Sequence, residues 1–270
     1  MRSTGCVDRP MPNLTETVFP QRKERFEDRR REGSDRKLLD EFFDHPTLLA
    51  VSKLVSQGQF ESIDYPISTG KEGGVFRATT PDGFRAVKVY RIGNAVFRRI
   101  PPYALEELRR EASQGNFRRL IFAWTRREHT ILRALHLARV RAPQTYGYFR
   151  NILVMEFVGV DGLPCPRVRD AVLPDVAAFY EDLVEQLRRM TVDAHLVHGD
   201  LSPYNVLLLE NRPVLIDVAQ SIPTRHPAAP SLLLRDVANF AKYFRRLGLK
   251  VSTESFFDAV GGATVGPKGA

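Results

Sequence analysis

The run His198-Gly199-Asp200-Leu201-Ser202-Pro203-Tyr204-Asn205, followed by Val214-Leu215-Ile216-Asp217, limits this chain more than any other feature. It has the form H-x-D with an Asn five residues after the Asp, then an apolar strand ending in a second acid. Phosphoryl transfer needs these residue types. One carboxylate orients a hydroxyl nucleophile and takes its proton, while an Asn and a second carboxylate hold Mg²⁺ against phosphates. Hard oxygen ligands suit that ion. On this pattern Asp200 is the candidate base, and Asn205 and Asp217 are the candidate metal ligands. The plainer reading, that Asp200 and Asn205 only cap and turn a loop, leaves the order of two acids and an Asn at apolar strand edges unexplained. His198 reads as a brace of this loop rather than a metal ligand, since no third His or Cys is near it in sequence.

Two upstream segments fit the same chemistry. Lys88, in Ala86-Val87-Lys88-Val89-Tyr90, lies in an apolar strand as a phosphate-pairing lysine does in V-A-I-K. Its partner acid is best placed at Glu128 on the helical stretch AWTRREHTIL, with Glu111 and the Glu106-Glu107 pair as weaker candidates. Between two strand-like stretches lies Ser68-Thr69-Gly70-Lys71-Glu72-Gly73-Gly74-Val75, where backbone N–H groups of a Gly turn can cradle phosphates. It is neither G-x-G-x-x-G nor a Walker A loop. Alone it is a plausible hairpin turn, and with Lys88 downstream it reads as a phosphate-covering loop.

The rest of the chain divides around these motifs. Residues 1–35 hold a charge-dense run and read as a flexible arm. Residues 36–60 are helical in pattern, with Pro46 placed to start a helix and Gly58 to end one. Strand-like stretches SIDYPIST, GVFRATT, FRAVKVY, TYGYF and NILVMEFV, with one long helix over 117–138, make residues 61–155 a strand-rich lobe. VDGLPCP reads as a linker. Residues 156–260 are mainly helical, and 261–270 form a loose, Gly-rich tail. The fold class expected is α+β in two lobes.

At 43% hydrophobic and 27% charged residues, the composition is globular and excludes collagen and low-complexity fibre. No apolar run suits a bilayer span and no secretory h-region opens the chain. The two cysteines, Cys6 and Cys165, cannot form a disulfide framework, which fits a reducing cytoplasm. The net charge of +8 is concentrated: residues 91–150 hold thirteen Arg, no Lys and four acids. That segment is either an ordinary solvated face or a surface for a polyanion such as RNA.

Taken together, ISTGKEGGVFRA, AVKVYR, FAWTRRE, LVMEFVGVDGLPCPRV, LVHGDLSPYNVLL and LIDVAQSI resemble, in family order, a RIO-type atypical serine/threonine protein kinase of the subgroup without a winged helix. The resemblance spans about residues 38–260 and implies a protein-kinase-like fold with no activation loop or A-P-E region. It implies ATP with Mg²⁺ or Mn²⁺ as cofactors, and a protein substrate, the protein itself or water as acceptor. It implies a phosphate loop over Ser68–Gly74, a Lys88–Glu128 ion pair, and Met155 before a hinge. Glu156 and Phe157 would meet the adenine through backbone groups. Asp200 would be the catalytic base, Asn205 a metal ligand, and Asp217 the counterpart of the D-F-G Asp, which in this family can become phosphorylated during turnover. The stretch from Phe97 to Phe117 matches the flexible loop of the family. Gly73 stands where Ala is expected, Pro203 where Glu is expected, and VAQ at 218–220 stands for VSQ. These departures suggest a divergent, bacterial member.

Two other functions fit parts of this pattern. A small-molecule phosphotransferase, of the kind that acts on aminoglycosides, shares Asp200, Asn205 and Asp217 but does not need STGKE. An ATP-gated assembly factor docking on ribosomal RNA or the small ribosomal subunit would use the basic segment 91–150.

Overall fold

The computed structural model describes residues 42–92, 100–111 and 117–267. The arm at 1–35 lies outside these residues. Helix α1, His45–Ser56, starts as its sequence predicts: the Asp44 side chain accepts from Thr47 N–H at 2.9 Å, and Pro46 occupies the first turn, where a missing N–H costs nothing. Past its end Gly58 takes φ 69°, the left-handed geometry that suits glycine.

Five antiparallel strands follow in the order β1-β2-β3-β5-β4. They are β1 Ser62–Thr69, β2 Gly73–Thr80, β3 Gly83–Tyr90, β4 Thr145–Phe149 and β5 Ile152–Glu156. Alternation along β3 sends Val87 and Val89 to one face, where they pack with Phe76, Ile152 and Val154 under Ala50, Val51 and Leu54 of α1. Lys88 and Tyr90 therefore point the other way, towards the long helix α3, Phe117–Leu137. That helix serves both lobes. Leu120, Ile121 and Trp124 pack around Tyr90, while Ile131, Leu132 and Leu135 join the core of the large lobe.

Three expectations differ from the fold observed. Residues 102–111, inside the stretch read as a flexible loop, form helix α2, Pro102–Glu111, because Ala104 and Leu108 bury against Leu120, Ile121 and Trp124. The remaining parts of that stretch, 97–99 and 112–116, lie outside the described residues. The VDGLPCP segment is not a plain linker but a hairpin, β6 Gly159–Val160 with β7 Leu163–Pro164. It docks on the small lobe, because Gly162 O accepts from Tyr65 Oη and Arg77 Nη1, both at 2.9 Å. The tail is described as far as residue 267, and its described part docks on the large lobe. Gly262 is buried, Val265 packs on the large-lobe core, and Gly266 N–H donates to Thr224 O at 2.9 Å.

The large lobe is built on α4 Val176–Arg188, α5 Ala229–Arg246 and α6 Thr253–Ala259, around Phe179, Leu183, Phe240, Phe244 and Phe256. Short strands pair above this core, β8 Leu196–Val197 with β11 Ile222–Pro223 and β9 Val206–Leu209 with β10 Arg212–Leu215. Among the described residues no helix is long and apolar enough to cross a membrane.

The glycine at position 73 follows from local packing. A Cβ there would lie 2.4 Å from Val89 O on the neighbouring strand, too close for any side chain. Gly73→Ala should therefore lower stability by about 1–3 kcal/mol through overpacking and weaken nucleotide binding, measurable by urea unfolding and ATP titration.

Candidate active site

The two candidate metal ligands meet because of a hairpin. Strands β9 and β10 are joined by Glu210 and Asn211, both at positive φ, the geometry of a two-residue turn that matches strand twist. Pairing of Val206 with Leu215 brings Asn205 and Asp217 to the same end, where Ile216 N–H donates to Asn205 O at 3.0 Å. Asp217 itself takes φ 58°, ψ 45°, unusual for a residue with a side chain.

Lys88 reaches this end from the small lobe. Its Nζ lies 2.7 Å from Glu128 Oε1 and 2.8 Å from Asp217 Oδ1, with side-chain exposures of 11%, 2% and 43% for Lys88, Glu128 and Asp217. Burial alone would lower the Lys88 pKa, but the Asp217 and Glu128 carboxylates outweigh it and hold the ammonium well above its ordinary value. The same contact with Lys88 lowers the pKa of Asp217, helped by the charge of Arg167. The other Glu128 oxygen accepts from the Tyr90 hydroxyl. Burial and the Glu128 charge push the Tyr90 phenol well up. Of the weaker partner candidates, Glu106 is exposed on α2, and the side chains of Glu107 and Glu111 lie outside the described residues.

Asp200 sits opposite, on the loop after β8. Its Oδ2 accepts from Asn205 Nδ2 and Gln220 Nε2, each at 3.3 Å. Burial raises its pKa, and the nearby Asp217 and Glu72 charges add to this against Arg235 and Asn205. Asn205 Nδ2 also donates to Asp200 O at 2.7 Å, so its amide nitrogen is committed and Oδ1 is the atom left for a cation. Among the described residues no group of three or more His, Cys, Asp or Glu side chains could hold a metal. A carboxylate and an amide oxygen still suit Mg²⁺, which keeps water and phosphate among its ligands.

The predicted phosphate loop is the β1–β2 hairpin. Ser68 and Thr69 end β1, Gly73, Gly74 and Val75 begin β2, and Gly70-Lys71-Glu72 turn between them, closed by Gly70 N–H to Gly73 O at 2.9 Å. Val75 pairs with Lys88 across the sheet. At the expected hinge, Met155 packs on the large-lobe core and Phe157 meets Phe84 edge to face at 5.8 Å. Glu156 N–H is spent on Gln144 O at 2.7 Å, so Glu156 has no backbone donor to offer an adenine.

The family model for the RIO domain matches residues 74–256. This chain belongs to the RIO family. It is 33% identical over 245 residues to the RIO-type serine/threonine-protein kinase Rio1 of Methanocaldococcus jannaschii, covering 91% of this chain and 84% of that protein. It is 36% identical over 238 residues to its namesake in Haloferax volcanii, covering 88% and 82%. The crystal structure of the Rio2 kinase-ADP/Mg²⁺-phosphoaspartate complex from Chaetomium thermophilum superposes with a TM-score of 0.62 at 26% identity, covering 83% of this chain and 67% of that one. These matches do not favour a small-molecule phosphotransferase.

Several residues of this candidate site carry no motif signal. Asp236 on α5, 1% exposed, accepts from Gly199 N–H at 2.7 Å and Leu201 N–H at 2.9 Å, fixing the loop on both sides of Asp200. Burial raises its pKa to about 7. Arg235 donates to Gly199 O, and Asn239 Nδ2 to Leu201 O at 3.0 Å. The segment after Asp217 is held from the small lobe, with Tyr103 Oη on Gln220 O at 3.0 Å and Arg127 on Ala219 O and Ser221 O at 3.0 and 2.7 Å. The only available signal was the helical spacing of 235, 236 and 239, which marks a shared face but no target.

His198 braces the loop as a neutral ring. Asp200 N–H donates to Nδ1 at 3.3 Å, so Nε2 carries the proton and donates to Ile216 O at 3.1 Å. Burial lowers its pKa from 6.5 to about 4. The unfolded chain therefore takes up this proton first, so the contribution is complete above pH 6.5 and is lost as the pH falls towards 4. His198 should account for about 3 kcal/mol of stability lost across that window, while Asp236, whose pKa is raised, acts in the opposite direction. The His198 share is therefore read by chemical unfolding as the difference between wild type and His198→Gln, which should shrink as the pH falls from 6.5 towards 4.

Proposed function

We propose that this RIO-family chain is an ATP- and Mg²⁺-dependent serine/threonine protein kinase that transfers the γ-phosphoryl group to a protein hydroxyl, its own included, or to water. The observation that carries this reading is Lys88 Nζ held between Glu128 and Asp217 at 2.7 and 2.8 Å, opposite Asp200. Lys88, oriented by Glu128 and Tyr90, is offered to the phosphate chain beneath the Ser68–Gly74 loop. Asn205 Oδ1 and Asp217 would hold Mg²⁺, which when bound offsets charge on the phosphate oxygens. Asp200 orients the acceptor hydroxyl and takes its proton as the new O–P bond forms and the bond to the ADP oxygen breaks. The raised pKa of Asp200 suits a group that must accept a proton.

Two substitutions test these roles. Asp200→Ala should abolish transfer from γ-labelled ATP while nucleotide binding survives. Asp217→Ala should weaken Mg²⁺-dependent nucleotide binding. Wild-type turnover in both would end the kinase reading.

A second reading, of a polyanionic partner such as ribosomal RNA, draws support from the outer face of α3. Arg118, Arg119, Arg126 and Arg133 are exposed there, while Glu128, the one acid of the helix, is buried against Lys88. Arg118 and Arg119 also sit at the helix N-terminus, where the dipole disfavours cations. Neutralising both should weaken RNA binding and reduce its salt dependence by about two units of log–log slope, as read by filter binding across salt concentrations.

A further inference from the structure

Resting on the nucleotide-site reading, the charges around the cleft expose a shortage. A nucleotide brings a multiply charged phosphate chain, yet the catalytic run His198–Asn205 contains neither Lys nor Arg. Lys88 already faces two carboxylates, and Lys71 is exposed at the tip of the phosphate loop.

Arg167 approaches from the opposite side. Its backbone is pinned to β9, the strand that begins directly after Asn205. It bridges to Leu207, and Pro166 O accepts from Leu208 N–H at 2.9 Å. The next residue, Val168, is fully buried and opens a short 3₁₀ turn, so the start of the side chain is fixed. From this anchor in the large lobe the side chain reaches the small lobe, where Nη2 donates to Ser68 Oγ at 2.9 Å. Its charge also acts on the Asp217 carboxylate. The guanidinium thus borders the space between the phosphate loop and Asp217, where the phosphate chain of a nucleotide must lie.

An arginine presents five N–H donors in a planar fork that matches phosphate oxygens. Among the described residues this one donates a single hydrogen bond, to a neutral hydroxyl. A phosphate oxygen is a stronger acceptor than a serine hydroxyl, because the bond is then assisted by charge on both sides.

We propose that Arg167 is a phosphate-binding residue of the nucleotide site, supplying from the segment after the hinge the positive charge that the catalytic loop lacks. It exchanges the Ser68 hydroxyl for oxygens of the phosphate chain and so draws the phosphate loop and β9 together around the nucleotide. A residue that only clasped the lobes would support every ligand of the cleft alike, whereas a phosphate ligand discriminates by ligand charge.

Calorimetric titration of Mg-ATP and of adenosine into the full chain separates the two. Arg167→Gln should weaken Mg-ATP binding about tenfold or more, the size of one charge-assisted hydrogen bond, and leave adenosine binding unchanged. Arg167→Lys, which keeps the charge without the fork, should recover part of the loss. Arg169→Gln removes a neighbouring charge stacked on Tyr204 at 4.2 Å and should leave Mg-ATP binding unchanged. Equal losses for ATP and adenosine in Arg167→Gln, no loss for either, or an equal ATP loss in Arg169→Gln would overturn the proposal. A wild-type chain that bound no Mg-ATP would instead overturn the nucleotide-site reading itself.

Discussion

The rest of the site depends on one buried ion pair, Lys88 with Glu128, and on its extension to Asp217. Removing a lysine and a glutamate from water is costly unless the geometry is good and the remaining polar atoms are satisfied. Here Glu128 uses one oxygen for Lys88 and the other for Tyr90, and Lys88 divides its charge between Glu128 and Asp217. Three elements must be in place together for this to hold: β3 for Lys88 and Tyr90, α3 for Glu128, and the end of β10 for Asp217. The ion pair therefore fixes how the small lobe meets the large one, and it directs the ammonium into the cleft.

Around that pair, the polar residues of the large lobe keep a short, irregular loop in one shape. His198 connects the loop to the strand before Asp217, and Asp236 takes the backbone donors on both sides of Asp200. Gln220 and Asn205 both donate to the same Asp200 oxygen. His198 and Asp236 are buried, and a buried polar group left without its partner costs more than its bond contributes. Tyr103 and Arg127 extend the network into the small lobe, so α2 and α3 bear directly on the segment that follows Asp217.

Much of this was legible in the amino-acid order. The H-x-D run, its Asn and the following strand acid form a local pattern, and the hairpin that unites them is encoded within twenty residues. Lys88 was readable from its apolar strand, and Glu128 from the periodicity of α3. The helix at 102–111 was not readable, because its register depends on Ala104 and Leu108 finding Leu120, Ile121 and Trp124. The hairpin at 159–164 read as a linker because Tyr65 and Arg77, which hold it, lie on strands far away in sequence.

The sequence by itself determined which groups are present and their order: the acids, the amide, the lysine, and the glycine turn between two strands. Periodicity of two and of 3.6 also determined the faces on which those groups emerge. The tertiary structure alone decided which groups meet across lobes. Asp236, Tyr90, Tyr103 and Arg167 take their partners from other elements, and nothing in a local pattern specifies a partner 37, 38, 117 or 99 residues away. The physical reason is that such contacts depend on the relative placement of whole elements, which the summed burial of the cores sets.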